Sequence, residues 1–291
     1  MGSLLNFHFE LQRFLRLVEA LSDHSLFNVR TVAAEATEAV LCVRNVAPAI
    51  FVRQRFAALH SITLFSATLS PPHYAVQLLG LPSNTAWIDV PPTFPVEHLT
   101  VQVATGVSTR FADRGRSLQP LVAVITRQFD AHPGNYLAFF SSFNYLDQAA
   151  DRLALLRPDI AQWRQDRRMG AEARHGFLGR FEAGWRGIGF AVLGGVFAEG
   201  VDLPGSLLIG AFIATLGLPP VSVTQDDIQA RLDKLFGADH GYADRVPAMH
   251  KVVQAAGRVL RTPQYRGWLW LLEERYGRRD VSSLLPAWWR I

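Results

Sequence analysis

The chain has 291 residues, 49% of them apolar, and a formal net charge of +4, which predicts a globular protein with core enough for one large or two modest domains. Its single cysteine, Cys42, excludes a disulfide framework, a zinc site built on several thiolates and a cysteine-ligated iron–sulfur cluster within this chain. Only Lys234 and Lys251 are lysines, so the positive charge is nearly all arginine, suited to fixed bidentate contacts with phosphate or carboxylate and compatible with a nucleic-acid partner without requiring one.

No basic n-region followed by an apolar h-region opens the chain, and no run of about twenty uncharged apolar residues occurs later. The expectation is a cytoplasmic chain with no membrane partner. Phe7, Leu11, Phe14, Leu15, Val18 and Leu21 recur at the spacing of an amphipathic helix. "EAVLCVRNVAPAIFVRQRF" then reads as a strand followed by a helix. "HSITLFSATLSPPHYAVQLLG" reads strand, polar turn, helix, with Ser70 as N-cap, Pro71 at the first helical position and Gly80 at the end. "LPSNTAWIDVPPTFP" is dense in turn residues and sets a boundary near Pro95.

Beyond it strand and helix alternate: "LTVQVAT", "SLQPLVAVITRQFDAH", "GNYLAFFSS", "FNYLDQAADRLALL", an Arg-rich helical stretch from Asp151 to Arg186, then "GIGFAVLGG", "LLIGAFIATL", "AMHKVVQAAGRVLR" and "GWLWLLEE". This predicts an α/β domain with a mainly parallel sheet, whose ligands lie beyond the carboxyl ends of the strands.

Four stretches carry candidate chemistry. In "QAAGRVLR", a continuous helix would project Gln254, Arg258 and Arg261 from one face and Val253, Ala256 and Leu260 from another, leaving a guanidinium face for an anion. "GGVFAEGVDLPG" follows a strand; its glycines permit close backbone approach, and Asp202 can accept hydrogen bonds from a ribose or order an arginine, although a Gly-rich turn with a capping aspartate is the plainer reading. Ser141 and Ser142 precede a helix whose first N–H groups can hold a phosphate, while Ser142 as a simple cap explains the same residues. Phe143 and Tyr145 can stack on bases or belong to the core. Ser66 and Thr68 leave a strand in "LFSATLSP", where hydroxyls commonly satisfy local backbone. Between Asp151 and Arg186 lie eight arginines, which suit either a phosphate-tracking surface or a solvated face.

The order SATLSP, NYLAFFSS, GGVFAEGVDLPG, QAAGRVLR is more specific than any one stretch, and it resembles the C-terminal half of superfamily 2 DNA helicases of the XPD/DinG family. "VSTRF" ahead of Arg114, "GLPP" at Gly217 to Pro220 and "LLPAWW" also fall in order. The resemblance runs from about Val40 to Trp289, and the helix before Val40 resembles the tail of that family's Arch insertion.

It implies a RecA-like helicase domain 2 at 96–291, preceded by a smaller segment, 1–95, that would complete helicase domain 1. The implied motor clamps ATP between two such domains and moves 5′ to 3′ on single-stranded DNA. Arg258 and Arg261 would be arginine fingers, with Gln254 orienting them. Asp202, Glu199, Gly200 and Gly257 would line the ATP site, Ser66 and Thr68 would form the coupling motif, and Ser141, Ser142 and Gly195 would contact the DNA backbone.

No GxxxxGKS or GxxxxGKT loop and no DEAH-like box occurs in the chain, so ATP and magnesium would be bound mainly by a domain 1 supplied in cis or in trans. Any iron–sulfur cluster would lie outside this chain. "TPQYRGW" and "LLEERY" depart from the family's acidic positions, which bears on local packing. A non-catalytic nucleic-acid-binding or interaction module that retains a degenerate RecA-like fold is the alternative.

Overall fold

The computed structural model describes residues 2–31, 39–198, 202–238, 240–259, 262 and 264–291. In chain order its helices and strands are α1 Gly2–Glu19, β1 Ser25–Thr31, β2 Ala39–Asn45, α2 Ala49–Ala57, α3 Pro72–Leu79, β3 Leu99–Val103, α4 Arg114–Ala131, β4 Asn135–Phe140, α5 Phe143–Leu156, β5 Ala161–Arg164, α6 Ala171–Leu178, β6 Gly187–Val192, β7 Gly210–Ala214, α7 Val223–Phe236, α8 Arg245–Ala256, β8 Gly267–Leu271 and α9 Arg279–Ser282. They divide into two compact units: residues 1–88 with 219–246, and residues 89–218 with 247–291. The inclusion of 219–246 with the N-terminal residues is a feature that a single boundary near Pro95 did not anticipate.

The second unit is built on a six-stranded parallel sheet in the order β3-β8-β7-β4-β6-β5, the mainly parallel α/β architecture expected from the strand–helix alternation. The inner strands β8, β7, β4 and β6 are apolar at successive positions because both faces are covered, whereas the edge strands β3 and β5 are only partly buried. On β4, Leu137 and Phe139 join Phe177 of α6 and Met249, Val252 and Ala255 of α8 on one face. Tyr136, Ala138 and Phe140 join Leu121 and Ile125 of α4 and Leu146 and Leu153 of α5 on the other. β4 leads into α5, whereas the chain beyond the adjacent β7 returns through α8, on the opposite face. A divergence of this kind beyond the carboxyl ends of two strands is the usual ligand position in such sheets.

The first unit holds the antiparallel pair β1-β2, α1 to α3 and α7. Gly80 ends α3 in the left-handed region, φ 63°, as expected of a residue without Cβ.

Three expected elements differ. Ile62–Phe65 is not a strand: it belongs to neither sheet, and Phe65 is 91% exposed. Without a neighbouring strand its backbone gains no ladder to form. The cap of α3 is one residue late, with Pro71 at the N-cap and Pro72 inside the first turn. The stretch from Asp151 to Arg186 is not continuously helical, because α5 stops before Pro158 and β5 inserts beside β6, burying Trp163.

Candidate nucleotide and nucleic-acid site

Ser141 and Ser142 follow β4 directly and Gly194 and Gly195 follow β6, so these candidates lie beyond the carboxyl ends of the strands, whereas Gln254, Gly257 and Arg258 lie on and just after α8, on the return toward β8. After β6, Gly194 turns the chain at φ +78°, where a Cβ would be strained whatever the space around it. Gly195 donates its N–H to the Val192 carbonyl at 3.1 Å, and Gln165 accepts from the Val192 N–H at 2.9 Å. These two bonds hold the start of the loop, at Val192 to Gly195, against the end of β6.

Arg258 reaches this loop: its Nε donates to the carbonyl of Ala198 at 3.3 Å. Its setting differs from the sequence expectation, because α8 ends at Ala256. The N–H groups of Arg258 and Val259 bond three residues back, to Ala255 and Ala256. Gly257, poor in helix propensity, stands where the tighter turn begins. Arg258 thus projects from a turn and not from the helix face that carries Gln254. Gln254 is half-buried on α8, Gly257 is exposed, and Asp202 is exposed beyond the loop. Glu199, Gly200, Leu260 and Arg261 lie outside the described residues.

After β4, Ser142 caps α5, its Oγ accepting from the Tyr145 N–H at 3.3 Å, so the capping reading holds for this hydroxyl. Ser141 instead accepts from Arg114 Nη2 at 2.8 Å. Arg114 also donates through Nε to the Thr109 carbonyl at 3.1 Å, and its guanidinium carbon lies 4.8 Å from the Tyr145 ring centroid. Tyr145 is fully buried and belongs to the core; burial pushes its hydroxyl up to about 12, which the nearby Arg114 charge partly opposes.

Beneath this loop lies fully buried Glu273, just beyond β8. It accepts from the Thr109 N–H at 2.6 Å, from the Thr109 hydroxyl, and from Arg275 Nε at 2.7 Å. Burial alone would raise its carboxyl; the bonds from Arg275 and Thr109 outweigh that and hold it below its ordinary value. "LLEERY" gave no sign that Glu273 ties two strand ends together. The signal that was available is positional: a charged residue directly after a buried strand.

Among the described residues, two arginines of the Arg-rich stretch form ion pairs. Arg157 bridges Asp130 and Asp159, and Arg164 bonds Asp151 at 2.7 Å. Arg167 differs, with its guanidinium carbon 5.1 Å from the half-buried Phe143 ring. Ser66 and Thr68 belong to the first unit, where Thr68 N–H donates to Ser66 Oγ at 3.2 Å, a local hydroxyl turn.

A guanidinium, Arg258, follows the end of α8 and a carboxamide, Gln254, stands on the helix before it; each can donate to a phosphate oxygen. Among the described residues no three His, Cys, Asp or Glu side chains cluster to hold a metal ion, and no helix is long and apolar enough to cross a membrane.

A six-stranded parallel sheet covered by helices on both faces, with the turn after α8 bonded to the Gly-rich loop after β6, is a RecA-like α/β fold. Residues 125–291 match the family model described as Helicase C-terminal domain, and the chain belongs to that family. The ATP-dependent DNA helicase chl1 of Schizosaccharomyces pombe is 25% identical over 78% of this chain and 30% of its own length. The General transcription and DNA repair factor IIH helicase subunit XPD of Arabidopsis thaliana is 26% identical over 62% of this chain and 26% of its own. A solved structure titled XPD_APO superposes with a TM-score of 0.67 at 18% identity, covering 94% of this chain and 55% of that one. These matches support the XPD/DinG resemblance carried by the ordered motifs. The chain spans less than a third of the length of these curated relatives.

Proposed function

We propose that this chain is the C-terminal motor portion of an ATP-dependent DNA helicase that moves 5′ to 3′ along single-stranded DNA. Residues 96–291 act as helicase domain 2. Residues 1–95 supply the last segment of helicase domain 1, with the coupling motif at Ser66 and Thr68, behind the tail of an Arch insertion. The observation that carries this reading is the hydrogen bond from Arg258 to Ala198, which ties the end of α8 to the loop after β6 in a chain of the helicase family.

Arg258 and Arg261 serve as arginine fingers, their fixed charge stabilising negative charge that develops on a transferring phosphoryl group. Gln254 orients that cluster, and Asp202, Glu199, Gly200 and Gly257 line the nucleotide. Bound ATP supplies the phosphoryl group. Its magnesium is held mainly by a phosphate loop outside this sequence, in a domain 1 acting in cis or in trans. Ser141, Ser142 and Gly195 contact the DNA backbone, and movement of the loop after β6 with Arg258 couples nucleotide to strand.

The test is the DNA-stimulated ATPase of the protein that joins this chain to its phosphate loop. Arg258→Ala is expected to lower kcat by about three orders of magnitude, the scale of other arginine fingers. Arg258→Lys should restore it only in part, since an ammonium lacks the planar fork. The 291-residue chain alone should not hydrolyse ATP. Near-normal turnover in Arg258→Ala would remove its role, and an intact protein without ATPase would leave the non-catalytic nucleic-acid-binding module as the better reading.

A further inference from the structure

Phe111 is 85% exposed, yet it sits on one of the most heavily bonded turns of the second unit. Residues Phe111–Asp113 form a short 3-10 turn. On one side Thr109 is anchored to buried Glu273 through both its N–H and its hydroxyl. On the other, Ser108 Oγ donates to Asp113 at 2.8 Å and the Ser108 N–H donates to Ser117 Oγ at 3.1 Å. Folding alone gives no reason to fix a large aromatic side chain in water, since an apolar ring gains by leaving it.

The surroundings of the ring say what it meets. The Arg114 guanidinium carbon lies 5.5 Å from the Phe111 centroid, within cation–π range, and Arg114 Nη2 is held by Ser141. Arg114 Nη1 makes no hydrogen bond among the described residues, so a donor suited to a phosphate oxygen stands next to an exposed aromatic face. The pairing recurs across the same carboxyl edge, where Arg167 lies over Phe143 beside Ser142. Guanidinium and aromatic groups alternating along one edge are what a single strand requires: charge for the backbone, rings for unpaired bases.

We infer that Phe111 is a base-stacking platform for single-stranded nucleic acid, with Arg114, positioned by Ser141 and Thr109, holding the phosphate adjacent to the stacked base. Unpaired bases of any identity satisfy this site, because every base has a π face. The inference rests on the DNA-track reading above and adds to it a residue, a mode of contact and a lack of sequence preference.

The experiment compares binding of the 291-residue chain to a single-stranded deoxyoligonucleotide and to a strand of equal length carrying abasic sites, which keeps the phosphates and removes the bases. Phe111→Ala is expected to weaken binding of the normal strand by about tenfold, the scale of one base–aromatic stack, and to leave binding of the abasic strand and the salt dependence unchanged. Phe111→Trp should restore the loss. Stacking should quench a 2-aminopurine strand on the wild-type chain and not on Phe111→Ala.

Because the ring is exposed, the alanine variant should fold, which circular dichroism checks. Equal binding of the normal strand by wild type and Phe111→Ala would overturn the stacking role and leave the DNA track standing, with a protein surface as the ring's partner. A wild-type chain that binds neither strand at any salt concentration would overturn both.

Discussion

The two compact units of this chain solve the problem of apolar surface differently. In the second, Leu137, Phe139, Phe140, Phe190 and Phe212 are fully buried because helices cover both faces of the sheet. In the first, α1 leaves Leu4 77% exposed and Phe7 65% exposed, and the β1-β2 pair leaves Val29 58% exposed. A two-stranded pair is marginal by itself, whereas six strands covered on both sides hold one another. The difference teaches that the sheet of the second unit can fix a site to within hydrogen-bonding distances, while the candidates in the first unit rest on local turns.

Hydrogen exchange should show the largest contrast. The amides of Ile62–Phe65, outside any ladder, are expected to exchange at least about a thousandfold faster than those at the centres of β4, β6 and β7, because local opening costs little where few apolar contacts hold the backbone. Comparable protection would erase the distinction between the units. Substitution probes the same contrast. Phe190→Ala, in the centre of one core layer, should destabilise the second unit by about 3–5 kcal/mol in chemical denaturation. Phe7→Ser on exposed α1 should stay within about 0.5 kcal/mol. A large loss from Phe7→Ser would mean that α1 is covered in solution.

Glu273→Gln sharpens the comparison at the site itself. Removing the carboxylate leaves the mostly buried Arg275 guanidinium without its partner, a loss of about 3 kcal/mol for a broken buried pair. The pH dependence has a definite sign. The folded carboxyl lies below its ordinary value of 4.5, so its contribution is fully present above that value and disappears as the pH falls through the folded value. Wild type should therefore lose stability below about pH 4.5 more steeply than Glu273→Gln. Parallel curves would show that the carboxylate does not set the strand-end geometry.

What was legible in the sequence follows the same division. Strands buried on both faces announce themselves as short apolar runs, so β4, β6, β7 and β8 were readable without neighbours, β3 showed instead as an apolar–polar alternation, and the order of motifs pointed to the helicase fold. "ITLF" has the same apolar character but no partner strand, and periodicity does not report partners. A helix running from Gln254 through Arg258 was overextended because spacing alone ignores Gly257, where the chain tightens and re-aims Arg258; Arg261 lies outside the described residues. The bonds Arg114–Ser141 and Glu273–Thr109 link residues 27 and 164 positions apart, and only the assembled sheet brings such residues together.

The smallest effect separates two roles that the sequence left superposed at Ser142. As the cap of α5 it accepts from the Tyr145 N–H, and Ser142→Ala should cost about 1 kcal/mol of stability. A hydroxyl that also donates to a DNA phosphate would add a loss of binding, yet alanine removes both functions at once. Ser142→Asp divides them. Aspartate caps a helix about as well as serine and favours the positive end of the helix dipole, so stability should be retained. A carboxylate facing a phosphate repels it, so binding of a single strand should fall, and the loss should shrink as salt screens the charge. If Ser142→Asp keeps both stability and affinity, Ser142 is a cap and nothing more, and the backbone contact at the end of β4 belongs to Ser141 with Arg114.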